Sequence, residues 1–216
     1  TEAALDSLAV LVKNGRFRVI HDLHAGLINE IGGNLAAAEK AYAQARDRRL
    51  TLSVVQALGT LFERTGRSGK AKALYAEFLK NNPNTEIVEA ALVRVTAGNR
   101  PERAVKDAYQ GMAEVFYNIA NTLTRGRAIE RALIYGNFFL HMRPDYPVGQ
   151  MLVARTLELL ERYDDAIKVY DGIKPESPLR WTARMRKASN LDALGRTKAA
   201  IAELSSMSGE QVARSD

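Results

Sequence analysis

His21 and His24 lie three residues apart, the spacing at which two imidazoles on one helix can grip a single metal ion. A stable site needs further ligands. The chain has no cysteine, Asp22 points to another side of the helix, and His141 is distant in sequence. The pair therefore reads as two partly buried histidines, and no metal site is expected. Gly66-Arg67-Ser68-Gly69-Lys70 shares its ending with a phosphate-binding loop, whose backbone N–H groups cradle an anion. That loop needs a glycine where Arg64 stands, a hydroxyl residue where Ala71 stands, and a preceding β-strand. None is present, so the segment reads as a turn. Asp164-Asp165 opens a helix, where carboxylates favour the positive end of the dipole. No serine has the Gly-x-Ser-x-Gly surroundings of an activated nucleophile. With no catalytic constellation, neither an enzyme activity nor a cofactor is expected.

One basic stretch has a different chemistry. Arg180, Arg184, Arg186 and Lys187 surround Trp181, and a stacking ring amid guanidinium groups suits single-stranded nucleic acid. On a helix, Trp181 and Arg184 share a side while Arg186 and Lys187 do not. A tryptophan anchored between packed helices, with arginine stems along the surface, is the stronger reading. The net charge of +6 is interleaved with Asp and Glu, which describes solvated helix faces.

The 216 residues suffice for one sizeable domain or several stacked repeats, and 46% hydrophobic with 26% charged residues is ordinary for a soluble fold. Without cysteine there is no disulfide framework, which fits a reducing or an oxidising compartment equally. No apolar run approaches the roughly 18 residues a membrane span needs. No basic, then apolar, then small-residue leader opens the chain. Thr1 begins in mid-pattern, so an excised fragment is expected, with any targeting signal upstream.

Helices must position all of these residues. Apolar spacing predicts them over Glu2–Lys13, Arg18–Ile31, Leu35–Arg48, Leu52–Thr65, Ser68–Asn81 and Glu86–Ala97. A long one follows from near Ala108 to Arg125, its start marked by Asp107 and Gln110 as a capping box. The rest are Ile129–Met142, Val148–Leu160, Asp164–Ile173, Leu179–Leu194 and Lys198–Met207, with a frayed tail from Ser208. Asn14-Gly15 supplies a left-handed stop after the first helix, which reads as the second half of an upstream unit with Leu8 or Val12 left wet.

Within this set one pattern recurs. Small Gly59 and Ala71 let two helices approach, Leu58, Phe62, Tyr75 and Phe78 fill the space around them, Gly66 turns the chain and Pro83 ends it. Gly26, Gly33, Ala38, Tyr42 and Ala45 repeat the pattern upstream, with Ala38 to Ala71 a step of 33. Downstream, Ala132, Ala166 and Ala200 follow at steps of 34. This spacing resembles the tetratricopeptide (TPR) helix-turn-helix unit. The resemblance implies an all-α, right-handed superhelical solenoid of stacked antiparallel helix pairs, about 12–13 helices in all. It covers the chain as one solenoid, with N-terminal repeats over 1–97 and C-terminal repeats over 108–216.

Between them the rhythm breaks. Ala71 to Ala132 spans 61 residues, and Gly98-Asn99-Arg100-Pro101 is hostile to regular structure. An irregular connection is expected over 98–107, where the second helix of a degenerate repeat should stand. A simple bend, a filled gap in the solenoid and a segment that contacts a partner all remain open. Arg16 through Gly33, this interruption, His141-Met142-Arg143-Pro144 and Ser177-Pro178-Leu179-Arg180-Trp181 are similar, in order, to the C-terminal part of large bacterial TPR proteins. That class tends to carry an export signal, which implies a periplasmic or envelope-associated scaffold, with the cytoplasm left open.

In TPR modules the first helix of each pair lines a groove that holds a peptide or protein surface. Carried onto this chain, the groove residues are Gln56, Thr60 and Glu63; then Tyr117, Asn118, Asn121 and Thr124; then Met151, Arg155 and Glu158; then Met185, Ser189 and Asp192. Asn and Gln can pair with an extended backbone, Tyr and Met give adaptable apolar contact, and Arg155 can fork onto a carboxylate. Modules that capture a chain-terminal carboxylate present lysine and asparagine on successive helices, whereas Tyr117 stands where the first lysine would help. An internal segment or a protein surface is the expected partner. Two alternatives stand beside this scaffold reading: a self-association module that pairs two copies, and a weak nucleic-acid binder through Arg180–Lys187.

Overall fold

The computed structural model describes residues 2–12 and 17–213, with only the backbone described for 9–12 and 210–213. Among these residues there are twelve helices and no strand. They are α1 (Glu2–Val12), α2 (Arg18–Ile31), α3 (Leu35–Arg48), α4 (Leu52–Arg64), α5 (Ser68–Asn81) and α6 (Glu86–Thr96). After a non-helical stretch come α7 (Ala108–Arg125), α8 (Ile129–Met142), α9 (Pro147–Leu159), α10 (Tyr163–Asp171), α11 (Arg180–Ala193) and α12 (Thr197–Ala213). The helices fall where the apolar spacing put them, with one exception. Helix α12 continues past Met207, whose side chain is buried, through Ser208 and Gly209 to Ala213, against their low helix propensity. The expected stop at Asn14-Gly15 and the side chain of Val12 lie outside the described residues, and Leu8 is half-buried.

Two compact units form, Thr1–Met112 and Ala113–Asp216. In the first, each helix from α1 to α6 packs on the next, and α2 also meets α4. In the second, successive helices from α8 to α12 pack in the same way. Helix α7 joins α8 through rings: Phe116 lies 5.3 Å from Phe138, and Tyr117 lies 5.7 Å from Phe139.

Close approach explains the small residues. A Cβ on Gly26 would stand 2.2 Å from Tyr42 Cε1, and one on Gly149 would stand 1.8 Å from Phe139 Cε1. Each buried ring lies directly on a bare stretch of the neighbouring helix. The turns between paired helices repeat as well. Left-handed residues stand at Gly33, Gly66, Arg127, Glu161 and Gly195, the same point of successive pairs. Arg127 and Glu161 hold that conformation without glycine's freedom, at a cost of about 1 kcal/mol each.

The third pair is incomplete. Gly98 supplies the turn after α6 (φ 79°), yet no second helix follows. Pro101 lacks an N–H and biases Arg100 away from the helical region, so the chain stays irregular until Asp107 caps α7. There the Gln110 N–H donates to Asp107 Oδ1 at 2.8 Å, and the Gln110 side chain accepts from the Lys106 N–H at 3.1 Å. Seven residues before the turn glycine, where Gly26 and Gly59 stand in the earlier pairs, α6 carries Ala91, and on another side of the same helix Val93 is 70% exposed.

Candidate interaction surface

A carboxylate four residues after the small contact residue lies on the same helical stripe, facing the second helix of its own pair. Glu30, Glu63 and Glu158 stand there, after Gly26, Gly59 and Ala154. Each accepts a hydrogen bond from a tyrosine twelve residues on: Tyr42 at 2.9 Å, Tyr75 at 2.6 Å and Tyr170 at 2.9 Å. Each also binds a cation of the next first helix. Arg64 binds Glu30, Arg94 forks onto Glu63 at 2.8 and 3.2 Å, and Arg186 reaches Glu158 at 2.8 Å with Asn190 beside it at 3.1 Å. Burial, reinforced by the adjacent carboxylate, holds the phenols of Tyr75 and Tyr170 well above their ordinary pKa, so both remain donors. Each glutamate thus ties its own helix pair to the next first helix.

This arrangement corrects the expected surface at three positions. Glu63 is buried and Glu158 is largely so, because both face the packed stripe instead of an open face. Tyr117 is buried too, its ring against Phe139, and burial raises its pKa as well. Sequence contained the signal that was missed: a glutamate four residues after the small residue and twelve before a tyrosine, three times over.

The remaining positions divide by unit. In the first unit Gln56 and Thr60 lie half-buried on α4, and the Thr60 hydroxyl donates to the Ala57 carbonyl. In the second unit, Asn118 and Thr124 turn their polar groups back onto the Glu114 and Ala120 carbonyls of α7. The Thr124 hydroxyl also stands 3.4 Å from that of Thr156 on α9. Ser189 donates to the Met185 carbonyl, and Asp192 accepts from Thr197. Asn121, Met151, Arg155 and Met185 are different. They occupy matching points of α7, α9 and α11, each at least partly exposed. Among the described residues Asn121 and Arg155 have no side-chain hydrogen bond, and Arg155 has no ion pair.

The basic stretch on α11 is engaged within the chain. Arg180 donates to the Ile173 carbonyl at 2.8 Å, and Arg184 pairs with Glu203 and reaches Ser206. Arg186 holds Glu158, and Lys187 binds Asp171 and Glu203. Trp181 is 45% exposed and is not the expected anchor between packed helices, while the neighbouring cations are turned onto carboxylates or, for Arg180, onto the Ile173 carbonyl.

The two histidines also separate. His21 Nδ1 lies 2.8 Å from Asp22, which in turn holds Arg48 at 2.6 Å. His24 is 5% exposed, its Nε2 has no hydrogen-bond partner, and burial lowers its pKa to about 4. Among the described residues no three or more of His, Asp and Glu gather as a metal site. The low value has a consequence for stability. Unfolded, His24 takes up its proton near 6.5; folded, it resists until about 4. Its contribution is therefore complete above the unfolded value and lost as pH falls from there towards 4. The first unit is expected to lose about 2 kcal/mol between pH 7 and pH 5 through this group. Urea unfolding of the wild type and His24→Leu at both pH values measures it, and equal losses in the two proteins would remove His24 as the cause.

No protein-family model matches the chain. Over 53 residues, 24% of this chain, it is 43% identical to ER membrane protein complex subunit 2-A of Xenopus laevis and to subunit 2 of Xenopus tropicalis. That stretch spans 18% of the length of those proteins. Among solved structures, MamA is similar over 88% of this chain and 96% of its own, at 12% identity and a TM-score of 0.45. A TPR protein of Thermus thermophilus is similar over 87% of this chain and 89% of its own, at 15% identity and a TM-score of 0.34. Among the described residues no helix is long and apolar enough to cross a membrane. Ring-on-glycine contacts and glutamate ties 33 residues apart in the first unit, and left-handed turns 34 apart in the second, make the described residues a TPR-like, all-helical repeat protein.

Proposed function

We propose that the chain is a non-catalytic protein-interaction scaffold, and that in its second unit Asn121, Met151, Arg155 and Met185 contact an internal, carboxylate-bearing segment of a partner. Arg155 carries this reading. Most charged groups on the neighbouring first helices are used inside the chain, whereas its guanidinium is exposed with neither a hydrogen bond nor an ion pair. An arginine in that state can fork onto an incoming carboxylate without first breaking a bond. Asn121 offers an amide donor and acceptor for an extended backbone, and the two methionines supply apolar contact that adapts to sequence.

The test is affinity capture from a native extract with the wild type and an Arg155→Glu, Asn121→Ala double variant, both checked for helical content. Partners retained by the wild type should fall at least tenfold with the variant, since charge reversal replaces attraction by repulsion. Recovery of the same proteins at the same yield would end the assignment of this surface.

A further inference from the structure

Residues 103–105 reach α2 beside positions whose counterparts on α4 are only half-buried. Counting back 33 residues from Gln56, Thr60 and Glu63 on α4 leads to Leu23, Leu27 and Glu30 on α2. Where α4 presents Gln56 and Thr60, α2 presents two leucines, and both are at least 97% buried. Leu23, Leu27 and Ile31 form a stripe at i, i+4 and i+8, displaced around the helix from Gly26 and Glu30, which meet Tyr42. Val105 is 3% exposed and joins the buried cluster that Leu23 and Leu27 form with residues of α3, α4 and α5. Its Cγ1 and Ile31 Cδ1 flank one point beside Gly111, at 3.8 and 4.0 Å. Two residues before Val105, the Arg103 guanidinium reaches the Glu30 carbonyl at 3.5 Å.

Little else holds this stretch down. From Arg100 to Val105 no main-chain group bonds to another described main-chain group. Glu102 and Lys106 pair with each other at the surface. Between its ends, which Asn99 ties to α6 and Asp107 to α7, the segment is held by Val105, by the partly buried Pro101, Arg103 and Ala104 and by one long hydrogen bond. It therefore gains little against the entropy of ordering its backbone and can lift while the helices beneath persist.

We propose that the α2 stripe formed by Leu23, Leu27 and Ile31 is a docking surface for an extended peptide that carries an arginine two residues before a β-branched apolar side chain, and that residues 99–107 are its built-in occupant. The chemistry of the ligand is read from the occupant: an apolar side chain for the leucine stripe, and a cation for the Glu30 carbonyl at the negative end of the α2 dipole, which also accepts from the Gly33 N–H at 3.2 Å. A partner enters only by displacing the segment, so its apparent affinity is reduced by the fraction of time the stripe stands covered. This surface lies in the first unit and does not depend on Arg155.

The probe is a fluorescein-labelled peptide with the sequence of residues 99–107, titrated by fluorescence anisotropy into the wild type, into Val105→Asp, and into Pro101→Gly/Ala104→Gly. The second protein cannot bury its own segment; the third keeps Val105 and Arg103 but raises the entropy cost of docking them. Val105→Asp should bind the peptide at least tenfold tighter than the wild type, with the glycine variant in between. The same peptide with aspartate in place of its valine should not bind. Equal affinities for wild type and Val105→Asp, or binding no better than that of the aspartate peptide, would overturn the proposal. Should Val105→Asp lose its helical circular dichroism, the glycine variant decides by the same comparison: tighter binding than the wild type supports the surface, and equal or absent binding sinks it.

Discussion

Glu63→Ala is expected to cost the first unit about 3 kcal/mol, the low end for breaking a buried ion pair by removing one partner. The Glu63 side chain is 1% exposed and accepts from both the Tyr75 hydroxyl and the Arg94 guanidinium. Alanine would leave a buried phenol without its acceptor and a cation without its counter-charge. Arg94 is about a third exposed and recovers part of its hydration, which keeps the cost from reaching the top of the range. Glu63→Gln should cost less, since the amide oxygen still accepts from Tyr75. Glu77→Ala is the control. It removes a carboxylate from an exposed pair with Arg46 and should change stability by less than about 1 kcal/mol. Urea unfolding of the three variants decides the matter; if Glu63→Ala and Glu77→Ala prove equal, the tie is decorative.

Gly59→Ala sets two effects against each other. Alanine is the better helix former by about 1 kcal/mol, so an exposed site would gain from the change. Here the added Cβ would stand 2.4 Å from both Cε1 and Oη of Tyr75, whose side chain is 1% exposed. The ring cannot swing away without giving up its bond to Glu63. Overpacking of this kind costs about 1–3 kcal/mol, and the displaced hydrogen bond adds about 1 more. Sterics win, and a net loss of about 2 kcal/mol is expected. Gly69→Ala, near the start of α5 with nothing within 4 Å of the new Cβ, should be neutral or slightly stabilising. Thermal unfolding of the two variants reads the sign directly. A stabilised Gly59→Ala would mean that the glycine is there for something other than the ring.

The same helix shows why part of the interaction surface was misread. Gln56, Thr60 and Glu63 recur at one-turn spacing, and that spacing alone assigns them one face. Yet α4 is wrapped on more than one side, and Glu63 sits four residues beyond Gly59, on the edge that meets Tyr75. The sequence marks which residues share a stripe but not which stripe is covered. Tyr117 fails for the same reason, since an aromatic residue at that point is equally suited to an open groove and to the Phe139 ring that covers it.

What the sequence alone determined is whatever depends on neighbours a few residues away. Apolar spacing, Asp107 with Gln110, the turn glycines and the repeated small residues gave the helices, their pairing and the break after Gly98. Only the tertiary structure decided which charges face each other. The Tyr75–Glu63, Arg94–Glu63 and Arg103–Glu30 contacts join residues 12, 31 and 73 positions apart. It also decided that Val105 lies on α2 and that the α11 cations are turned inward. The physical reason is one of range. Backbone geometry and capping act within a turn or two of helix, whereas burial and ion pairing depend on whichever surfaces the stacked helices bring together.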